Sequence, residues 1–215
     1  MNLTNYYWYF KSAIPERICD DIVKYGHQLQ DQMAVTGGYG QGKNLSKKQT
    51  KDLKKKRNSD IVWMSDRWIY KEIQPYIYNA NANAGWNFQW DFSESCQFTK
   101  YDVGQYYGWH CDSWSEPYGD EEPNLELRGK VRKLSMTISL SDPSEYEGGN
   151  LEFDFRNYSN PDDEKERLNS RKECTEIRPK GSIVVFPSDV YHRVTPVTKG
   201  TRYSLVVWSV GKPFR

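Results

Sequence analysis

Hydrophobic spacing divides the chain near residue 86. Before that point, residues 15–30 set Ile18, Ile22, Val23 and Leu29 near helical spacing, behind Pro15 and an early acid. Apolar residues three or four apart line one face of a helix, so this stretch predicts one. Residues 65–80 repeat the pattern with Trp68, Ile69 and Ile73. Ser65 stands where an N-cap is expected, and Pro75, which has no N–H to donate, is expected to kink or split this helix. After residue 86 the period shortens. Strand-like runs at 88–92, 95–101, 133–140, 150–155, 182–186, 192–196 and 201–210 alternate with turn residues, among them Gly148-Gly149, Lys180-Gly181 and Lys199-Gly200. Many short strands punctuated this way predict a sandwich or barrel rather than βαβ units. The expected class is mainly β with a helical layer (α+β).

The organisation read from this pattern is one domain over residues 1–215. Residues 1–85 form an N-terminal helical layer with a mobile Lys-rich loop at 38–60, and residues 86–215 form the β core. The loop contains eight Lys or Arg and one Asp between residues 43 and 57. Such a like-charge block reads as a solvated loop before it reads as a nucleic-acid patch. Two polar insertions, 113–130 and 156–173, interrupt the strands, and the first is acidic. Hydrophobic residues make up only 37% of the chain, but aromatics reach 15%, so a core rich in large rings is expected. The net charge of +1 gives no global case for nucleic acid or a membrane surface. Four scattered cysteines without a CxxC pair, no apolar run near the length of a spanning helix, and no signal-peptide pattern at the start predict a soluble, cytoplasmic protein. Oligomeric state is left open.

Of three histidines, two occur in suggestive places. His110-Cys111-Asp112 is an HxD unit in a strand-like stretch, and alternation along a strand would turn His110 and Asp112 to one face and Cys111 to the other. His192 follows 80 residues after Asp112. Two imidazoles and one carboxylate make a facial triad that suits non-haem Fe(II) and leaves coordination positions open; the same donors also suit zinc. Arg202 lies ten residues beyond His192, across the Lys199-Gly200 turn. If it points into the same interior it needs an anionic partner, and a dicarboxylate held at one end by metal and at the other by Arg202 satisfies both. Ser204, on the same strand face, can add a hydroxyl. Ser135, Thr137 and Ser139 share one face of their strand, which either lines a wet cavity or meets solvent. Arg57 is read as a surface residue ahead of one that reaches the substrate, Trp208 as core, and Trp109 as facing away from His110.

The stretches YDVGQYYGWHCD, RKLSMTISLSDPSEYEGGNLEF and GSIVVFPSDVYHRVTPVTKGTRYSLVVW, in that order, resemble the prolyl 4-hydroxylase-like branch of the 2-oxoglutarate/Fe(II) oxygenases, in particular PKHD-type hydroxylases. The resemblance spans roughly residues 95–210. It implies a double-stranded β-helix (jelly-roll) core and iron ligation by His110, Asp112 and His192. Arg202 would take the distal carboxylate of 2-oxoglutarate, and Tyr101 would hydrogen-bond that co-substrate. Thr137 and Leu151 would line its pocket, and Tyr107 and Trp114 would lie on the substrate side. The implied activity is O2-dependent hydroxylation of a C–H bond with release of succinate and CO2, with ascorbate as a reductant. A peptidyl residue such as proline is the first substrate expectation, ahead of a free small molecule and a nucleic-acid base. Two readings from other classes stand beside it: a non-catalytic metal-binding jelly-roll module, in which Arg202 meets a carboxylate of the protein itself, and a zinc hydrolase.

Overall fold

The structure is a computed structural model that describes residues 6–29, 32–33, 56–113, 116–156, 160 and 162–214. Its elements run β1 (Trp8–Phe10), α1 (Glu16–Gln28), β2 (Gln32–Met33), β3 (Arg57–Asn58), β4 (Asp60–Met64), α2 (Arg67–Asn83), β5 (Phe92–Ser93) and β6 (Cys96–Tyr101). They continue with β7 (Tyr106–His110), β8 (Val131–Ser139), β9 (Tyr146–Gly148), β10 (Leu151–Asp154), α3 (Glu164–Asn169) and β11 (Arg171–Glu173). The last four are β12 (Ile183–Pro187), β13 (Tyr191–Val194), β14 (Val197–Gly200) and β15 (Arg202–Gly211). The large sheet has the order β1-β12-β8-β15-β6-β4-β2, with β5 also on β15; the smaller sheet is β11-β10-β13-β7-β3, and β14 pairs β9. All pairings are antiparallel. The chain passes repeatedly between the two sheets, which gives the expected jelly-roll core with open sheet edges. Residues 57–64, in the N-terminal part read as a helical layer and its loop, contribute a strand to each sheet: β3 at the edge of the smaller one and β4 between β6 and β2 in the larger. No helix among the described residues is long and apolar enough to cross a membrane.

Strand alternation decides which face meets the helices. Leu134, Met136 and Ile138 of β8, Leu205 and Val207 of β15, and Ile183 and Val185 of β12 form one buried cluster with Ile18 and Ile22 of α1 and Ile69, Ile73 and Ile77 of α2. Each fully buried side chain of this kind contributes about 1.5–3 kcal/mol. Gly26 sets how closely α1 approaches, since a Cβ there would lie 2.6 Å from the Phe98 ring. The opposite face of β8 carries Ser135, Thr137 and Ser139, exposed by only 0, 7 and 1%, so it does not meet solvent. It looks into the space between the sheets, where Leu151, Phe153, Val184 and Phe186 form a second cluster.

Two local expectations are corrected. Helix α2 runs unbroken through Pro75. The buried stripe Ile69, Ile73, Ile77 and Ala80 outweighs the about 3 kcal/mol a proline costs, and Pro75 sits on the exposed side, where water can meet the freed carbonyl. The residue at the start of α2 is Asp66 rather than Ser65, and no side chain caps it. The Lys-rich loop lies outside the described residues except for 56–60.

Candidate active site

The smaller sheet brings two histidines together by register. His192 on β13 is the direct partner of His110 on β7, and their rings are 4.2 Å apart. Asp112 completes the group, but not by strand alternation: β7 ends at His110. The Asp112 and Ser113 amides instead both donate to the Ser188 carbonyl, each at 2.8 Å, and this turns the carboxylate inward. His110 Nε2 lies 3.6 Å from Asp112 Oδ1, and His192 Nε2 lies 3.6 Å from Oδ2. One donor atom from each residue falls within 4.8 Å of the other two. Each imidazole is fixed from behind, with Nδ1 of His110 2.8 Å from the Gly108 carbonyl and Nδ1 of His192 3.0 Å from the Val190 carbonyl. A carbonyl can only accept, so Nδ1 carries the proton and Nε2 presents a lone pair. Burial, with His110 adding to it, pushes His192 down to about 4, so its ring is neutral near pH 7. Burial would raise Asp112, yet the neighbouring His192 and His110 hold its carboxyl well below the usual range. Two imidazoles and a carboxylate, their donor atoms gathered at one point, fit a divalent cation and leave room for further ligands.

Arg202 opens β15 opposite Tyr101 on β6. It is 2% exposed, yet its only hydrogen bond among the described residues is to Ser204 Oγ at 3.3 Å, and it forms no ion pair among them. Its guanidinium lies 5.4 Å from the centre of the Tyr101 ring. Tyr101 packs in one cluster with Val194, Val197 and Tyr107, and Tyr107 stacks on His110 at 3.6 Å. A contiguous path therefore joins the buried cation to the triad. Gly149, at φ 59°, makes room for the arginine, because a Cβ there would come within 2.9 Å of Arg202 Cδ. Such a cation is costly to bury alone, and no carboxylate among the described residues pairs with it. Thr137 pairs Val184 and Val206 across the large sheet, and Leu151 pairs Val194. Both are buried, on the strands that enclose this space. Trp114 lies outside the described residues.

Sequence reasoning did not single out Glu94 or Arg132, and it misjudged the burial of Arg57. Arg57, read as surface, is 4% exposed; it donates to Ser59 Oγ, Gln97 Oε1 and Thr99 Oγ1 and stacks 4.5 Å over Tyr107. The stack Arg57–Tyr107–His110 thus ends on a triad member. Burial pushes the Tyr107 hydroxyl up to about 12, with the Arg57 charge opposing, so it stays a neutral donor. Glu94 and Arg132 form a buried two-pronged ion pair of 2.7 and 2.6 Å, and the Arg132 guanidinium lies 3.9 Å over Trp208. The Trp208 indole N–H is buried without a hydrogen-bond partner among the described residues. Trp109 faces away from the triad as expected, with Arg193 and Arg171 over its ring. Burial of an arginine is invisible to composition and spacing, and only the pairing of β3 with β7 draws Arg57 in.

Comparison with known proteins agrees with this geometry. A PKHD-type hydroxylase of Thermosynechococcus vestitus is 35% identical over 111 residues, covering 52% of this chain and 40% of that protein. One from Synechococcus sp. strain CC9902 is 35% identical over 115 residues, covering 53% and 40%. The chain thus spans about 40% of the length of these relatives. Among solved structures, a Pseudomonas putida prolyl-4-hydroxylase superposes with a TM-score of 0.64 at 16% identity, covering 98% of this chain and 95% of that one. The 2-oxoglutarate complex of a viral collagen prolyl hydroxylase from Paramecium Bursaria Chlorella virus-1 gives 0.62 at 18% identity, covering 97% of each. These two show the fold. Residues 96–210, more than half of the chain, match the family model itself, and the chain belongs to the 2OG-Fe(II) oxygenase superfamily.

Proposed function

We propose that this chain is an Fe(II)- and 2-oxoglutarate-dependent dioxygenase that hydroxylates a C–H bond of a peptidyl residue such as proline, with release of succinate and CO2. The observation that carries the reading is the buried Arg202, which has no carboxylate partner among the described residues and is linked through Tyr101 and Tyr107 to the His110, Asp112 and His192 cluster. A non-catalytic module would have its own carboxylate on that arginine. His110, Asp112 and His192 would hold Fe(II), and with 2-oxoglutarate and O2 the loaded site supplies the oxidising chemistry. Arg202 and Ser204 would bind the distal carboxylate, with Tyr101 beside it, and so fix the co-substrate's direction. Tyr107 remains a neutral hydrogen-bond donor next to His110. The buried strands around the site exclude water from it. The Trp208 N–H, which has no partner among the described residues and lies beside Arg132, would meet an acceptor such as a substrate carbonyl. A peptidyl substrate is favoured by relatives of this shape, one of them a Trichoplax adhaerens prolyl hydroxylase solved with a peptide fragment of the hypoxia inducible factor oxygen degradation domain.

The test is succinate formation by the purified protein with Fe(II), 2-oxoglutarate and proline-containing peptides, with a 16 Da gain on the peptide read by mass spectrometry. Both signals should vanish in Asp112→Ala. Failure of the wild-type protein to bind 2-oxoglutarate in the presence of Fe(II) would overturn the reading.

A further inference from the structure

The Asp112 carboxylate is held by more than its own backbone. Ser135 Oγ lies 2.7 Å from Asp112 Oδ2 and 2.9 Å from Ser188 Oγ, and both serines are 0% exposed. A hydroxyl has one proton, and the carboxylate can only accept, so the direction of the chain is determined. Ser135 donates to Asp112, and Ser188 donates to Ser135. Hydrogen bonds aligned this way polarise one another in a dry interior. The same Ser188 accepts the Asp112 and Ser113 amides through its carbonyl, while its own amide donates to the Lys133 carbonyl at 3.0 Å. Two residues further on, the Val190 carbonyl holds His192 Nδ1. The three-residue turn 188–190 therefore grips two members of the triad, one by backbone and side chain and the other by backbone alone.

We infer that Ser135 and Ser188 are positioning residues that aim Asp112 at the metal. Ser135 occupies Oδ2 and leaves Oδ1 as the less encumbered donor, and Ser188 orients Ser135. This rests on the reading that His110, Asp112 and His192 bind a divalent cation. Metal ligands are commonly steadied by such outer partners, whose removal lowers affinity about 10- to 100-fold. The short chain also accounts for the buried hydroxyl of Ser135 on the polar face of β8.

The experiment needs no turnover. Metal-free protein is titrated with Co(II), and the visible d–d bands report both affinity and ligand geometry. Ser135→Ala is expected to weaken Co(II) binding about 10- to 100-fold and to shift the bands, while Ser135→Thr, which keeps the hydroxyl, restores both. Ser188→Ala leaves the backbone contacts intact and should weaken binding less, and adding it to Ser135→Ala should change nothing more, because it acts through Ser135. Wild-type affinity and spectrum in Ser135→Ala would overturn the inference. If that variant does not fold, an unchanged spectrum and affinity in Ser188→Ala would overturn it instead. Asp112→Ala is the separate control: undiminished Co(II) binding there would sink the ligand assignment on which the inference rests, whereas lost binding there with wild-type behaviour in Ser135→Ala would sink the inference alone.

Discussion

Replacing Arg202 with Met should move two measurements in opposite directions. The guanidinium is 2% exposed, bonded among the described residues only to a serine hydroxyl at 3.3 Å, and without an ion pair among them. Methionine fills most of the same space without a charge, so the metal-free, ligand-free protein should gain stability. Taking about 1–2 kcal/mol for relief of the uncompensated charge, and 2–4 °C per kcal/mol for a chain of this size, its Tm should rise by roughly 2–8 °C. 2-Oxoglutarate binding should fall, because removing one partner of a buried charged pair costs about 2–5 kcal/mol, or roughly 30-fold to several thousand-fold in affinity. The assay is thermal unfolding of the metal-free protein, and of the Mn(II)-loaded protein with and without 2-oxoglutarate. At a concentration 100 times Kd the wild type gains about 2.7 kcal/mol, and the variant should gain less than about 1 kcal/mol at the same concentration. A variant that is less stable without ligand and keeps the full 2-oxoglutarate shift would refute the reasoning, since Arg202 would then be a structural residue.

Other perturbations probe other parts of the site. Gly149→Ala should cost about 1–2 kcal/mol through its positive φ and, by crowding Arg202, lower 2-oxoglutarate affinity at least about tenfold by calorimetry. Gly104→Ala has a similar φ of 81° but nothing within 4 Å of its Cβ, so it should share the strain and leave the affinity alone. His192 is depressed from its ordinary 6.5 to about 4, so between those pH values the unfolded chain holds a proton that the folded chain lacks. Stability of the metal-free protein should therefore fall as pH drops through that window, by about 3 kcal/mol in all, and urea unfolding of His192→Gln should lose this slope. Glu94→Gln breaks the buried pair with Arg132 and should lower stability by about 3–5 kcal/mol in the same assay, with much of that recovered in Glu94→Gln/Arg132→Met.

The β core was legible because its strands carry their own signal. Alternation in 133–140 and the Gly-bearing turns place β8, β10, β12 and β15 within about two residues of where they lie. Helix α2 was legible in its stripe but not in its continuity, because the packing that overrides Pro75 comes from elements remote in sequence. The convergence of His110, Asp112 and His192 was legible, since the HxD spacing and a distant histidine stand out in a chain with only three histidines. Its means of assembly was not: Asp112 is turned inward by a carbonyl 76 residues away. Arg57 and the Glu94–Arg132 pair were missed for a related reason. A charged residue shows its burial only through what folds over it, and Lys-rich surroundings made Arg57 look like part of a solvated loop.

The direct facing of His110 and His192 across β7 and β13 has a mechanical corollary. Their pairing is irregular just beyond, where the register shifts between His192 and Val194, so regular pairing alone does not fix this seam. Sliding one strand by a single residue would swing an imidazole to the outside. An ion bound by both rings, as proposed above, would tolerate only one alignment and so lock the seam; stripping it with a chelator would then loosen the sheet as well as empty the pocket.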